Sequence, residues 1–111
     1  MQYSKAKMTL NGKAKKRLGH ETYLETRSDG SIAVRYHNTD VVTINPDGTY
    51  ELRAGVWFTP TTKKRINQYS PARVYQQNFD WYIWTPQGPV EFKNNIRVDE
   101  SGNVCKEAVN V

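Results

Sequence analysis

Short β-patterned stretches alternate with turn dipeptides along most of the chain. Ile32, Val34 and Tyr36 alternate with Ala33 and Arg35, the period of a half-buried strand. Val41-Val42-Thr43-Ile44 is a β-branched run and reads as a central strand. Thr22 to Thr26 and Thr49 to Arg53 read the same way, the second with Tyr50 and Leu52 on one face. Asp29-Gly30, Asp47-Gly48 and Ser101-Gly102 stand between such stretches and mark turns. Asn45-Pro46-Asp47-Gly48 suits a type I turn, with Pro pre-setting φ at the second position and Gly at the fourth. Arg73 to Gln77 and Trp81 to Trp84 form a further hairpin across Asn78-Phe79-Asp80. Val90 to Phe92 and Ile96 to Val98 are shorter strands flanking Asn94-Asn95, another turn signal, and Gly88-Pro89 breaks the chain before them.

One helix interrupts the strands, over about residues 61–69. Thr59 can cap its free N–H groups, and Pro71 cannot continue it. Ile66 and Tyr69, three apart, would face the sheet. The N-terminal stretch has room for a second short helix, with Gly12 inside it as an interruption. The pattern therefore predicts an α+β fold. It is a twisted antiparallel sheet, a meander of hairpins, with one short helix and a basic N-terminal arm. The arm spans residues 1–20, and a single α+β domain spans 21–111. A chain of 111 residues has room for one domain and can bury a core without disulfides. Exposed strand edges leave pairing between copies open.

The net charge of +5 is unevenly spread. Lys5, Lys7, Lys13, Lys15, Lys16 and Arg17 lie in residues 1–20, which hold no acid. The remaining chain is close to neutral. Such asymmetry points to an anionic partner, and it equally describes a solvated tail. One cysteine, Cys105, excludes an intramolecular disulfide. No apolar run approaches a membrane span and no signal-peptide pattern follows Met1, so a cytoplasmic protein is expected.

Catalytic chemistry finds little support. His20, His37 and Cys105 show no metal-like spacing, and no DxD-type cluster occurs, so neither a metal nor another cofactor is expected. Glycine-rich phosphate loops and the G-x-S-x-G elbow are absent. His37 reads as a bend residue hydrogen-bonded to its neighbours, and Asp40 as a turn or strand-edge residue that bonds the backbone. The helix start is more suggestive. Thr61 and Thr62 precede Lys63, Lys64 and Arg65, where the helix dipole disfavours cations. Hydroxyls, free amides and cations together suit a phosphate, whereas cations that point to solvent cost little. Trp57 and Phe58 precede the helix. Tyr82 and Trp84 share one face of their strand, and Trp81 takes the other. Exposed rings among cations suit single-stranded nucleic acid, and buried rings suit a core.

Three segments carry a resemblance: Leu18 to Leu24, Ile32 to Thr49, and Gly55 to Asn67. The blocks His37-Asn-Thr-Asp-Val-Val and Trp57-x-Thr-x-Thr-Thr-Lys-x-Arg-Ile-Asn resemble a family of small uncharacterised bacteriophage proteins. The likeness runs from about Lys13 to about Val98. Family members often carry Gly-Gly-Trp where this chain has Gly55-Val56-Trp57. The resemblance implies a phage or prophage origin and a small accessory role in an infected bacterial cell, and it brings no activity with it.

The expected function is binding without catalysis. Nucleic acid or another polyanion would engage Lys13, Lys15, Lys16 and Arg17 of the arm, and Trp57, Thr61, Thr62, Lys63, Lys64 and Arg65 at the helix start. Two alternatives use the same features: an anti-defence inhibitor that binds a host protein, and a sponge for a small anionic nucleotide.

Overall fold

A computed structural model describes residues 1–105. The elements run α1 (Tyr3–Leu10), β1 (Lys15–Gly19), β2 (Thr22–Thr26), β3 (Ile32–Tyr36), β4 (Thr39–Ile44), β5 (Tyr50–Leu52), α2 (Pro60–Tyr69), β6 (Val74–Gln77), β7 (Asp80–Ile83), β8 (Val90–Glu91) and β9 (Ile96–Val98). The α+β class and the antiparallel hairpins match the sequence pattern. The strands divide between two sheets, however. β1 to β5 form a meander to which β9 returns, giving the order β1-β2-β3-β4-β5-β9, while β6, β7 and β8 form a sheet of their own.

Register explains which face of the large sheet is buried. Leu24, Val34, Val42, Leu52 and Ile96 lie opposite one another across β2, β3, β4, β5 and β9. Ile32, Ile44, Tyr50 and Val98 form the next row on that inner face. A bulge between Arg35 and Val34 sets two β4 residues against one of β3, so Val41 and Val42 are both fully buried. Fully burying each such aliphatic side chain contributes roughly 1.5–3 kcal/mol. Ile66 and Tyr69 of α2 join this core, as do Trp81 and Ile83 of the small sheet.

Three turns share one construction. The N–H of Gly30, Gly48 and Gly102 donates to the carbonyl of Arg27, Asn45 and Asp99, at 3.0–3.1 Å. The preceding Asp29 and Asp47 accept from the N–H and hydroxyl of Ser31 and Thr49. This is the bonding of the type I turn predicted at Asn45-Pro46-Asp47-Gly48, closed by a glycine at φ +91 that a side chain would strain. α2 also starts as predicted, the Thr59 hydroxyl accepting from the Thr62 N–H. Asn67 then bonds both the N–H and the carbonyl of Val74, fastening the small sheet to the helix.

The segment read as a basic arm, residues 1–20, is built into the fold. Tyr3, Ala6 and Leu10 fall at helical spacing and give α1 an apolar stripe, with Ala6 and Leu10 buried. The Tyr3 hydroxyl donates to the Gly30 carbonyl at 2.6 Å. Gly12 ends α1 rather than interrupting it: Asn11, left-handed at φ 50, donates to the Lys7 carbonyl, and Gly12 follows at φ +80. β1 then pairs with β2 as an edge strand. A count of charges hides the three apolar positions through which α1 docks.

Leu10→Ala is expected to lower unfolding free energy by about 2–4 kcal/mol. Urea denaturation tests this; a change within about 0.5 kcal/mol, the range of ordinary surface substitutions, would return the segment to a free arm.

Candidate functional site

The cations and the carboxylates of the large sheet are sorted by strand. Lys15 and Arg17 of β1 lie opposite Glu25 and Tyr23, on the outer face, and Lys16 lies opposite Leu24 on the inner side. The Lys15 ammonium is 4.4 Å from the centre of the Tyr23 ring and the Arg35 guanidinium 5.0 Å, cation–π distances. All three β1 cations are exposed, and none forms an ion pair among the described residues. The carboxylates beside them are already engaged. Arg27 holds Asp40 through two hydrogen bonds, at 2.6 and 3.0 Å, and Glu25 through a third. Arg35 holds the second oxygen of Glu25 at 2.7 Å. Asp40 is thus a structural ion-pair partner, its carboxylate bonded to the Arg27 side chain rather than to the backbone as its strand-edge position suggested.

Burial alone would push the Glu25 carboxyl up, but hydrogen bonds from Arg35 and Arg27, with their charges, outweigh it and hold the group below the usual range. Asp40, followed by Glu25, correspondingly holds the Arg27 proton more tightly than usual, against the opposing effect of burial.

The helix-start residues separate in space. Thr62 is buried, its hydroxyl 3.0 Å from that of Thr59, and so faces inward rather than toward an anion. Thr61 and Lys64 are exposed. Lys63 lies 6.0 Å from the Trp81 ring, beside an aromatic cluster of Phe58, Trp81 and Phe92. Arg65 points elsewhere: its guanidinium is 6.0 Å from the Tyr36 ring, and a terminal nitrogen is 3.9 Å from where a Cβ on Gly19 would stand. Arg17 bonds the Gly19 carbonyl at 3.1 Å. Two predicted cations, 48 positions apart in sequence, therefore both stand near Gly19 at the end of β1. Lys13 sits beyond the other end of the strand, in a hollow shared with Tyr3, Lys7 and Arg27.

Tyr36 also walls a cleft of about 420 Å³, together with His37, Trp57, Asn38, Thr39 and Thr59. Val41 and Ala54, both fully buried, form its apolar floor. His37 is a turn residue, as the sequence implied, but it is left-handed at φ 53 and donates its N–H to Glu21, also left-handed at φ 48. The Trp57 loop is pinned from a distance. Asn94 Oδ1 accepts from the N–H of Ala54 and Gly55, at 2.8 and 3.1 Å, and its Nδ2 donates to the Gly55 carbonyl at 2.9 Å. Trp57 is 62% exposed, so its ring remains available at the cleft mouth. Trp57 stands out in the sequence, whereas nothing local to Tyr36, His37, Asn38, Thr39 or Asn94 marks them for binding. The two family-like blocks were the available signal, since they supply opposite walls of the cleft.

Elsewhere, Trp84 is exposed and Trp81 buried, the opposition expected along that strand. Phe79 tips the β6–β7 hairpin, 93% exposed and at φ 72. Among the described residues, no three or more His, Cys, Asp or Glu side chains are grouped so as to hold a metal, and no helix is long and apolar enough to cross a membrane.

The chain belongs to the Kyanoviridae Gp96 protein family, whose family model matches residues 2–101. This is a family of cyanophage proteins, and it bears out the resemblance carried by the His37–Val42 and Trp57–Asn67 blocks. The match takes in α1 and β1 as well as the later strands. No curated protein and no solved structure matches the chain.

Because its folded pKa is depressed, Glu25 contributes stability that is present above the ordinary value of 4.5 and lost as pH falls through the folded value. Glu25→Gln is expected to cost about 1–3 kcal/mol at pH 7, with the gap to wild type narrowing below pH 4.5. Denaturant titrations across pH test this, and a gap that widens on acidification would refute it.

Proposed function

We propose that this member of the Kyanoviridae Gp96 family is a non-enzymatic protein that binds nucleic acid, or another polyanion, in the cytoplasm of the infected host. The β1 edge and Arg65 form the contact surface. One observation carries the reading: the β1 cations stand unpaired among the described residues, while Glu25 and Asp40 are neutralised by Arg27 and Arg35. Ordered cations along a strand edge release counterions when they meet phosphates. Lysine on an edge strand also discourages pairing with another copy, which favours a ligand over a homo-oligomer at β1. Binding rather than catalysis is further supported by Asp40, engaged in an ion pair, and by His37, held in a turn.

Fluorescence anisotropy with labelled single- and double-stranded oligonucleotides, at two salt concentrations, tests the proposal. Affinity is expected to fall as salt rises. Lys15→Glu with Arg17→Glu is expected to weaken binding and to reduce the salt slope by about one per lost phosphate contact. Lys93→Glu, a charge change of the same kind on the loop before β9, is expected to have little effect. No binding at low salt would overturn the proposal and leave a host protein as the partner, with Phe79 as its most exposed anchor.

A further inference from the structure

We infer that the cleft between the Tyr36–Thr39 turn and the Trp57 loop is a nucleobase site, which receives the base of a nucleotide whose phosphate lies toward Arg65. The inference rests on the nucleic-acid reading above and adds to it a specific pocket.

The shape and lining favour a flat, weakly polar, anion-bearing ligand. The volume of about 420 Å³ falls within the range of small-molecule sites, about 300–1,000 Å³. Three of the walls are rings, from Tyr36, His37 and Trp57, and the floor of Val41 and Ala54 is apolar. Every base has a π-face that such rings can stack against. Asn38 and Thr39 bring an amide and a hydroxyl to the same cleft, the groups that hydrogen-bond a base edge. No acidic residue lines it, although Glu21 stands 3.8 Å from the His37 imidazole.

Position adds a second argument. Tyr36 lines the cleft, and the Arg65 guanidinium is 6.0 Å from its ring centre. Arg65 in turn adjoins Gly19, where β1 ends. A strand whose phosphates follow Lys15 and Arg17 thus arrives at the cleft where the cations end. Preorganisation adds a third. Asn94 fixes the Trp57 loop, and His37 is kept at φ 53, where a non-glycine residue is strained. Glycine in that turn would remove the strain together with the ring.

The base can come from a free nucleotide or from a single strand, and one experiment separates these sources. Intrinsic tryptophan fluorescence and anisotropy are measured for wild type, Trp57→Ala and His37→Gly. The ligands are mononucleotides of each base, a single-stranded oligonucleotide, and an abasic strand of equal length. Both variants are expected to weaken binding of the base-bearing ligand about tenfold and to leave the abasic strand unaffected. His37→Gly is expected to melt no lower than wild type, so its loss of affinity would report the ring and not the fold. Saturable quenching by mononucleotides, lost in both variants, identifies a free nucleotide. Quenching by the base-bearing strand alone identifies a base within a strand.

If both variants bind the base-bearing strand within about twofold of wild type, the cleft is not a base site. In that case the β1 surface still stands, provided that Lys15→Glu with Arg17→Glu weakens binding. A wild type that binds neither strands nor mononucleotides at low salt overturns both.

Discussion

The contact of α1 with the inner face of the large sheet is the interaction on which the rest depends. Lys15, Lys16 and Arg17 are consecutive cations on an edge strand, a segment that repels itself and has a paired neighbour on one side only. What holds it in place is apolar. Ala6 and Leu10 dock beside β1, β2 and β3, and the half-buried Leu18 joins the same core. Each buried apolar side chain offsets the small Coulombic cost of exposed like charges in water, which solvent and salt screen. The cations are therefore presented in register by hydrophobic burial at their backs. Ordered charges lose less conformational entropy on meeting a ligand than a free tail would.

The two faces of the sheet divide the remaining work. The inner rows, from Leu24 through Leu52 and from Ile32 through Val98, bury the core against both helices. On the outer face Glu25 and Asp40 are taken up by Arg27 and Arg35, and Ala33 is fully buried beneath the long side chains of that face. This internal pairing leaves the β1 cations without competitors nearby. The end of the sheet, where the Gly19–Thr22 and Tyr36–Thr39 turns meet, brings strained backbone, rings and a cation from α2 together.

Local chemistry made much of this legible from the sequence. Alternation in Ile32–Tyr36, the turns at Asn45–Gly48 and Ser101-Gly102, and the Thr59 cap all depend on residues close in sequence, and all appear where expected. What escaped depended on distant residues. The division into two sheets is set by β9 pairing with β5 across more than forty residues. The docking of α1 was harder to read than the helix itself, because Ser4, Lys5, Lys7 and Thr9 surround the three positions of its stripe. At the helix start, Lys63, Lys64 and Arg65 read as one cluster, yet successive helical residues point about 100° apart, and only Arg65 reaches β1. The cleft was invisible for the same reason, since Asn94 and the two walls lie far apart in the chain.

Amide hydrogen exchange, with and without a single-stranded oligonucleotide, tests most directly the claim that β1 is an ordered binding edge. In the free protein, the amides of Lys15–Gly19 that pair with β2 should exchange more slowly than an unstructured chain. Added ligand should extend protection over Lys15–Gly19, Tyr36–Thr39 and the Trp57 loop, and leave β6–β8 unchanged. Unprotected β1 amides in the free protein, or protection that appears on β6–β8 in place of β1, would contradict the account.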